Sequence, residues 1–223
     1  MLMGKRGPKP KQRISEQWTP NLAYAIGLLA TDGCLSSKGN HIDLTSKDVE
    51  QLKNFSTCLG IPLQIGEKYS GDGKRSFRIQ FKSVIFYNFL LSIGLTPVKS
   101  KTLGALKIPH KYFFHFLRGV FDGDGSTYSY WDKRWRSSFM FYVCFASASE
   151  EFLCWLQQTL RERLGVAGHV TMAAGHSTKQ LKYAKRESLL ILRRMYRSAP
   201  KGTYLSRKHL KIQRMLAIVG EQL

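Results

Sequence analysis

The sequence predicts an α+β protein built from two copies of one pattern of helices and strands. The first copy spans residues 18–108 and the second spans 109–223, and each begins with an apolar helix that ends in Asp-Gly. In both copies, apolar and polar residues then alternate, which is typical of strands with one buried face. Further helices follow in matching places, so both copies read helix, strands, helix, strands, helix.

In the first copy, the opening helix covers 21–33 (NLAYAIGLLATDG). Alternation over 41–45 and 75–81 predicts strands of antiparallel sheets. The sequence Thr45-Ser-Lys-Asp48 predicts a capping box at the start of a second helix, with Ser46 as the capping serine, because a hydroxyl there can accept from free N–H groups of the first turn. The third helix is predicted around 84–93.

The second copy repeats this order with a longer hairpin. Its opening helix covers 113–125 (FFHFLRGVFDGDG), and alternation over 138–145 predicts a strand. Ser147 is predicted to start the next helix, which ends at Gly165. The last helix is predicted around 186–197.

The charge of the chain indicates a polyanionic partner. Its 223 residues include 35 Lys and Arg but only 15 Asp and Glu, which gives a formal net charge of +20. Nucleic acid is the expected partner and an anionic membrane surface the weaker alternative. No apolar run approaches the about 18 residues that cross a bilayer, so we expect no membrane insertion.

Residues 1–17 are predicted to form a flexible basic arm, because they hold five basic residues and one acid. The arm either lies along phosphates or a minor groove, or is only solvated. No apolar stretch follows its charges, so it is not a secretory signal. The four cysteines form no C-x-x-C pair and the histidines complete no zinc spacing, which favours reduced, buried thiols. We therefore expect an intracellular protein located with the DNA in cytoplasm, nucleoid or organelle, and not secreted.

Small residues form a stripe on both Asp-Gly helices. They are Ala23, Gly27 and Ala30 in the first helix, and Gly119 and Gly123 in the second. Such stripes allow two helices to approach closely. If the two helices pack side by side, Asp32 and Asp124 come together at their C-terminal ends.

Two carboxylates at helix C-termini repel each other and oppose both helix dipoles. A divalent cation such as Mg²⁺ reverses this, and carboxylate-bound Mg²⁺ beside a basic groove is suited to phosphodiester hydrolysis. The alternative is that each Asp-Gly only closes its helix, with Gly33 and Gly125 in the left-handed conformation. Two equivalent copies favour the metal site.

Residues 25–33 (AIGLLATDG) and 117–125 (LRGVFDGDG) resemble the two motifs of LAGLIDADG homing endonucleases. The resemblance covers about 18–215, including the repeat. It implies two pseudo-symmetric αββαββα halves packed through the motif helices, with curved antiparallel sheets forming a saddle over duplex DNA. It also implies a monomer that cuts both strands of a long, pseudo-palindromic site and leaves 3′ overhangs.

The resemblance further implies the site residues. Asp32 and Asp124 would bind divalent metal, with the backbone carbonyls of Thr31 and Gly123 assisting. Mg²⁺ is the expected cofactor; Mn²⁺ would substitute, and Ca²⁺ would bind without supporting cleavage. The first motif has Ala30 where the second keeps Asp122, a position that is not a metal ligand in the family.

One basic residue per half is expected near the scissile phosphates. Lys99 and Lys208 occupy comparable places, with Lys101 and Arg207 as close competitors. Ser46 and Ser147 stand where the family often has polar residues that order catalytic water, although helix capping alone explains them. Base contacts are expected from outward strand residues and the long hairpin, namely Arg75, Arg78, Gln80, Tyr130, Arg134, Arg136, Tyr142, Thr171, Gln180 and Lys182.

The sequence therefore predicts a metal-dependent, site-specific DNA endonuclease acting on double-stranded DNA. The alternatives are an RNA-splicing maturase, with intron RNA as partner, or a non-cleaving DNA-binding regulator on the same fold. A basic scaffold protein that binds ribosomal RNA is a weaker third alternative.

Overall fold

The computed structural model describes residues 12–135, 137–172 and 178–223. Residues 1–11 of the predicted arm, and Arg136 among the predicted DNA contacts, lie outside the described residues. Within those ranges, no helix combines the length and apolar character that crossing a membrane requires.

The first half has the order αββαββα, and its four strands form one antiparallel sheet in the order β1-β2-β4-β3. Its elements are α1 (Pro20–Thr31), β1 (Gly33–Leu35), β2 (His41–Ser46), α2 (Val49–Leu59), β3 (Ile65–Tyr69), β4 (Arg75–Lys82) and α3 (Val84–Ser92). The boundary predicted after residue 108 falls in the connection that follows α3.

The second half repeats this order and topology, with strand order β5-β6-β8-β7. After a short 3₁₀ turn its elements are α4 (Phe113–Asp124), β5 (Gly125–Trp131), β6 (Phe139–Ser147), α5 (Glu150–Leu164), β7 (His169–Met172), β8 (Lys179–Tyr183), α6 (Lys185–Tyr196) and α7 (Ser206–Ala217). The predicted α+β class with two antiparallel sheets is confirmed. The sequence pattern did not predict α7.

The centre of the molecule is the contact between α1 and α4, as the two stripes predict. A Cβ built on Gly27 would lie 2.2 Å from the carbonyl oxygen of Phe116, and one on Gly119 would lie 2.2 Å from that of Tyr24. The helix backbones therefore touch at these two glycines. Helix α1 is buried from Leu22 to Ala30, as expected for a helix covered on all sides.

The glycines after the two aspartates are required by space. Neither Gly33 nor Gly125 has a positive φ, so the left-handed helix end considered from the sequence is wrong. Instead, a Cβ on Gly33 would lie 2.6 Å from the Cα of Leu29, and one on Gly125 would lie 2.5 Å from the Cα of Phe121. The chain turns back so tightly against its own helix that a side chain would collide there.

The predicted capping serines stand two residues before the observed helix caps. Strand pairing continues through Ser46 and Ser147, so α2 begins after Asp48 and α5 begins after Ser149. Ser149 caps α5 by accepting from the N–H of Phe152 at 3.4 Å. The prediction that Ser46 and Ser147 cap these helices is wrong. Each hydroxyl instead accepts from the N–H two residues later, that of Asp48 at 3.0 Å and that of Ser149 at 3.1 Å.

Candidate functional site

The two motif helices bring Asp32 and Asp124 to the same end of the molecule. Asp32 is the C-cap residue of α1, and Asp124 is the last residue of α4. A Cβ built on Gly123 would lie 3.1 Å from Oδ2 of Asp32, so this carboxylate lies against the last turn of the opposite helix. The structure thus brings the two predicted acids together.

Both carboxyl groups have raised pKa values. Burial raises the pKa of Asp32 first; a hydrogen bond from Gln51 lowers it, and the charge of Asp124 raises it again. Asp124 is an exposed residue, yet partial loss of water around its carboxyl group raises its pKa. The charges of Lys99 and Lys208 lower that pKa. Two such carboxylates, short of solvent and repelling each other, favour a bound cation.

Asp32 is held by a short polar chain that the sequence reading missed. Gln51 Nε2 donates to Asp32 Oδ2 at 2.6 Å, and Ser46 Oγ donates to Gln51 Oε1 at 2.6 Å. Ser46 Oγ also accepts from the N–H of Asp48 at 3.0 Å. In the sequence, the available signal was a glutamine in the first turn of an amphipathic helix. In the structure, Gln51 is only 3% exposed. In the second half Phe152 follows Ser147 at the same spacing, so this contact has no counterpart.

Lys99 and Lys208, the two predicted basic residues, lie at the ends of the motif helices. Lys99 Nζ donates to the Thr31 carbonyl at 3.1 Å and is only 6% exposed. Lys208 Nζ lies 2.7–3.2 Å from four carbonyls that share its three N–H donors, those of Phe121, Asp122, Gly123 and Gly125. Burial lowers the pKa of both, that of Lys208 to about 8. Ammonium groups at helix C-termini stabilise the exposed carbonyls there.

The competitors for this position lie farther out. Lys101 is exposed, and the guanidinium of Arg207 pairs with Asp48 at 2.6 Å. The carbonyls of Thr31 and Gly123, predicted as metal ligands, are the acceptors of Lys99 and Lys208. A carbonyl oxygen has two lone pairs, so each keeps capacity for one more ligand.

The residues at this centre suit a hard cation that keeps part of its water shell. Across the described ranges, no three His, Cys, Asp or Glu side chains form a group that could hold a metal ion. Two carboxylates are present, however, and Mg²⁺ commonly binds through one or two carboxylates plus waters and phosphate oxygens. The donor set therefore fits Mg²⁺ and does not fit a closed zinc site.

A cleft opens on each side of the acid pair. One cleft is lined by Thr31, Lys99, Asp124, Ala146 and Ser147, and the other by Asp32, Thr45, Ser76, Gly123 and Arg207, among others. Each combines strand ends of one half with residues of the other half. Ala146 and Thr45 belong to the sheet faces that point away from the core, so the clefts continue onto these open faces.

Asp122 has a structural contact. It is 1% exposed, and its Oδ2 accepts from the Tyr24 hydroxyl and from the N–H of Leu205, both at 2.8 Å. Burial raises its pKa to about 6. It thus ties α4 to α1 and to the segment before α7.

Arg118 is a second buried residue that the sequence reading missed. It is fully buried, and its Nε donates to the Thr203 carbonyl at 2.7 Å, while its Nη1 donates to the Met195 carbonyl. Its guanidinium also lies 5.7 Å from the ring centre of Tyr24. A charged residue inside an apolar helix was the only signal.

Two of the three predicted contacts on the first sheet share its open face. Gln80 Nε2 donates to Asp43 at 3.0 Å, and Arg78 lies 3.8 Å from the same carboxylate. Arg75 lies on the opposite face, where it pairs with Glu67 and covers the ring of Phe77. Its placement with Arg78 and Gln80 is wrong, because strand alternation separates residues three or five apart.

The remaining predicted contacts belong to the second half. Its open face carries Tyr130, Tyr142, Thr171, Gln180 and Lys182. Arg134 lies in the connection between β5 and β6, where it forms an exposed ion pair with Asp132 at 3.3 Å.

Comparison with known proteins identifies the fold. Residues 112–198 match the family model of the LAGLIDADG-like domain. The homing endonuclease I-WcaI bound to its DNA recognition sequence superposes with a TM-score of 0.62 at 12% identity, over 93% of this chain and 95% of that one. The chain has the LAGLIDADG fold. The predicted resemblance is therefore confirmed, with two motifs in a single chain.

Other solved structures share this LAGLIDADG fold. The meganuclease I-AabMI bound to uncleaved DNA gives a TM-score of 0.61 at 12% identity, over 91% of both chains. Full-length DUF199/WhiA from Thermatoga maritima gives 0.56 at 15% identity, over 93% of this chain and 63% of that one. The chain thus spans less than two thirds of that protein. No curated protein matches this sequence. The fold alone does not assign cleavage, since it occurs both in these endonucleases and in DUF199/WhiA.

Proposed function

We propose that this LAGLIDADG protein is a metal-dependent, site-specific endonuclease that cuts both strands of duplex DNA. One observation carries the proposal: Asp32 and Asp124 meet at the ends of two touching helices, between two open sheet faces. If these residues only stabilised the fold, two partly buried acids that repel each other would not be needed there.

Asp32 and Asp124 would hold divalent cations, with Mg²⁺ as the physiological ion and Mn²⁺ as a substitute. Ca²⁺ would bind without supporting cleavage. Bound Mg²⁺ supplies Lewis-acid stabilisation of the phosphate and an acidified water. Gln51 orients the Asp32 carboxylate and favours its charged form. Lys99 and Lys208 place positive charge beside the centre, where negative charge develops on the phosphate. The homing endonuclease I-WcaI and the meganuclease I-AabMI, both solved with DNA, support duplex DNA as the substrate.

The open faces would read the target in the major groove on either side of the centre. Because the two halves have the same topology and different side chains, the target would be long and imperfectly palindromic. Because one chain carries both sheets that would bind the two half-sites, the enzyme would act as a monomer. The 3′ overhangs, and a role in the homing of an intron, follow from the family resemblance.

The test is cleavage of genomic DNA. Purified protein is incubated with Mg²⁺ and DNA from close relatives that lack the coding element, and new ends are sequenced. We expect discrete paired ends at one locus that vanish in Ca²⁺ and in Asp32→Asn. Asp72→Asn, in the exposed turn between β3 and β4, is the matched control and should cut normally.

A non-cleaving DNA-binding regulator is the second candidate, because DUF199/WhiA shares the fold. Tight, selective duplex binding without cleavage at a verified site would favour it over the nuclease. Preference for structured intron RNA over duplex DNA would favour a maturase.

A further inference from the structure

The open face of the second sheet carries three stacked tyrosines. Tyr128 and Tyr142 are paired across β5 and β6, with ring centres 4.7 Å apart and planes 8° from parallel. Tyr130 continues the stack, 6.3 Å from Tyr142 at 10°. We refer to Tyr128, Tyr130 and Tyr142 as the tyrosine ladder.

The tyrosine ladder is an ordered aromatic surface that stays accessible. Tyr128 is 39% and Tyr130 is 45% exposed, and Met140 pairs with Tyr130 on the same face. Lys182 Nζ lies 6.0 Å from the ring centre of Tyr128. Because each ring is held by its neighbour, the ladder loses little conformational freedom on binding.

The open face of the first sheet has a different chemistry. Register places Asp43, Lys68, Arg78, Gln80 and Lys82 on it. These side chains suit hydrogen bonds to base edges and contacts to phosphates. The two halves therefore offer unlike surfaces to a target that passes across both.

We propose that the tyrosine ladder reads the C5-methyl groups of thymines in the half-site bound by the second half. This inference rests on the proposed function, namely binding of duplex DNA in the major groove. Among the base edges exposed there, the thymine methyl is the apolar group, and it is what apolar side chains recognise. A surface built mainly of tyrosine rings and Met140 therefore selects thymine.

The stacking also decides between duplex and unpaired bases. An aromatic side chain that stacks on an unpaired base needs a free ring face. In the ladder, Tyr142 lies between Tyr128 and Tyr130 and has both faces covered, while each outer ring has one face covered, so the stack presents ring edges more than free ring faces. Ring edges can contact methyl groups that line a groove, while the bases remain stacked in the duplex.

The test compares thymine with deoxyuridine, which lacks only the methyl group. A binding site is first selected from randomised duplexes in Ca²⁺. Its two halves are assigned with Arg78→Ala, which relaxes selectivity only in the half read by the first sheet. Kd is then measured with thymines replaced in one half at a time. We expect about fourfold weaker binding for each contacted methyl of the second half-site, and a smaller effect in the other half.

Matched variants connect the effect to the ladder. Tyr142→Ser, and independently Tyr130→Ser, should bind thymine and deoxyuridine duplexes alike, whereas Tyr142→Phe should keep the difference. Tyr69→Ser is the control: Tyr69 is 61% exposed and lies on the other face of the first sheet, so the difference should remain. Thermal melting verifies that each variant is folded.

Selective duplex binding with equal Kd for both bases would overturn this inference and leave the proposed function standing. Tighter binding to single strands or RNA would also overturn it, by making the tyrosines a stacking platform. Absence of any duplex binding by the wild-type protein would overturn both.

Discussion

At the scale of single residues, the candidate centre depends on how each buried charge is compensated. The sequence predicted Asp32 and Asp124 because both motif helices end in Asp-Gly, and Lys99 and Lys208 from their position in each half. It did not reveal Gln51 or Arg118, because a buried polar contact between distant residues leaves no local pattern. Both are found only when the packing is known.

Gln51→Met should weaken the Asp32 side of the centre. Its amide favours the charged form of Asp32, so its loss raises the pKa of that carboxyl group further. A protonated carboxyl binds metal poorly, so the Mg²⁺ concentration for half-maximal cutting of one strand should rise, and more so at pH 6 than at pH 8.

The measurement is a Mg²⁺ titration at both pH values on a duplex with each strand labelled separately. Gln80→Met, which removes an amide beside Asp43 on the open face, is the control and should change Kd alone. Equal Mg²⁺ dependence for wild type and Gln51→Met would contradict the assigned contact.

Arg118→Met should be strongly destabilising. It leaves the buried carbonyls of Thr203 and Met195 without their donor, and removes positive charge near Asp122. Each buried carbonyl left without its donor costs about 1–3 kcal/mol of unfolding free energy. Urea unfolding measures it, with the exposed Arg214→Met expected within about 0.5 kcal/mol of wild type. A similar small loss for Arg118→Met would contradict its role.

At the scale of elements, periodicity predicted the helices and strands well and their ends less well. The motif helices and the three alternating strands at 41–45, 75–81 and 138–145 were found because their apolar patterns are regular. The cap positions of α2 and α5 were wrong because strand pairing carries the chain past Ser46 and Ser147. Helix α7 was missed because its basic residues dominate the composition and hide a short apolar stripe, which includes Ile212, Met215 and Leu216.

Gly27→Ala should destabilise the contact between α1 and α4. Alanine is the better helix former by about 1 kcal/mol, but its Cβ would lie 2.2 Å from a backbone oxygen that cannot move aside freely. Overpacking of this kind costs about 1–3 kcal/mol, which exceeds the helix gain. Thermal unfolding measures the net loss. Gly71→Ala, with open space around the added carbon, is the control; an equally stable Gly27→Ala would refute the backbone contact.

At the scale of the whole molecule, the net charge of +20 predicts how DNA binding responds to salt. Each phosphate contact releases counterions, so the logarithm of affinity should fall linearly with the logarithm of salt concentration. With about 6–10 contacts, affinity should drop roughly 10³- to 10⁵-fold between 50 and 200 mM KCl. Fluorescence anisotropy of a labelled duplex measures this, and an affinity independent of salt would contradict a phosphate-tracking surface.

The decisive measurement follows each strand of a verified target in Mg²⁺ with wild type, Asp32→Asn, Asp124→Asn and the control Asp72→Asn. The account predicts that all four bind the duplex with similar Kd. It also predicts that only wild type and Asp72→Asn produce a double-strand break at the full rate. If either motif variant cut both strands as fast as wild type, the paired aspartates would not be the cleavage centre.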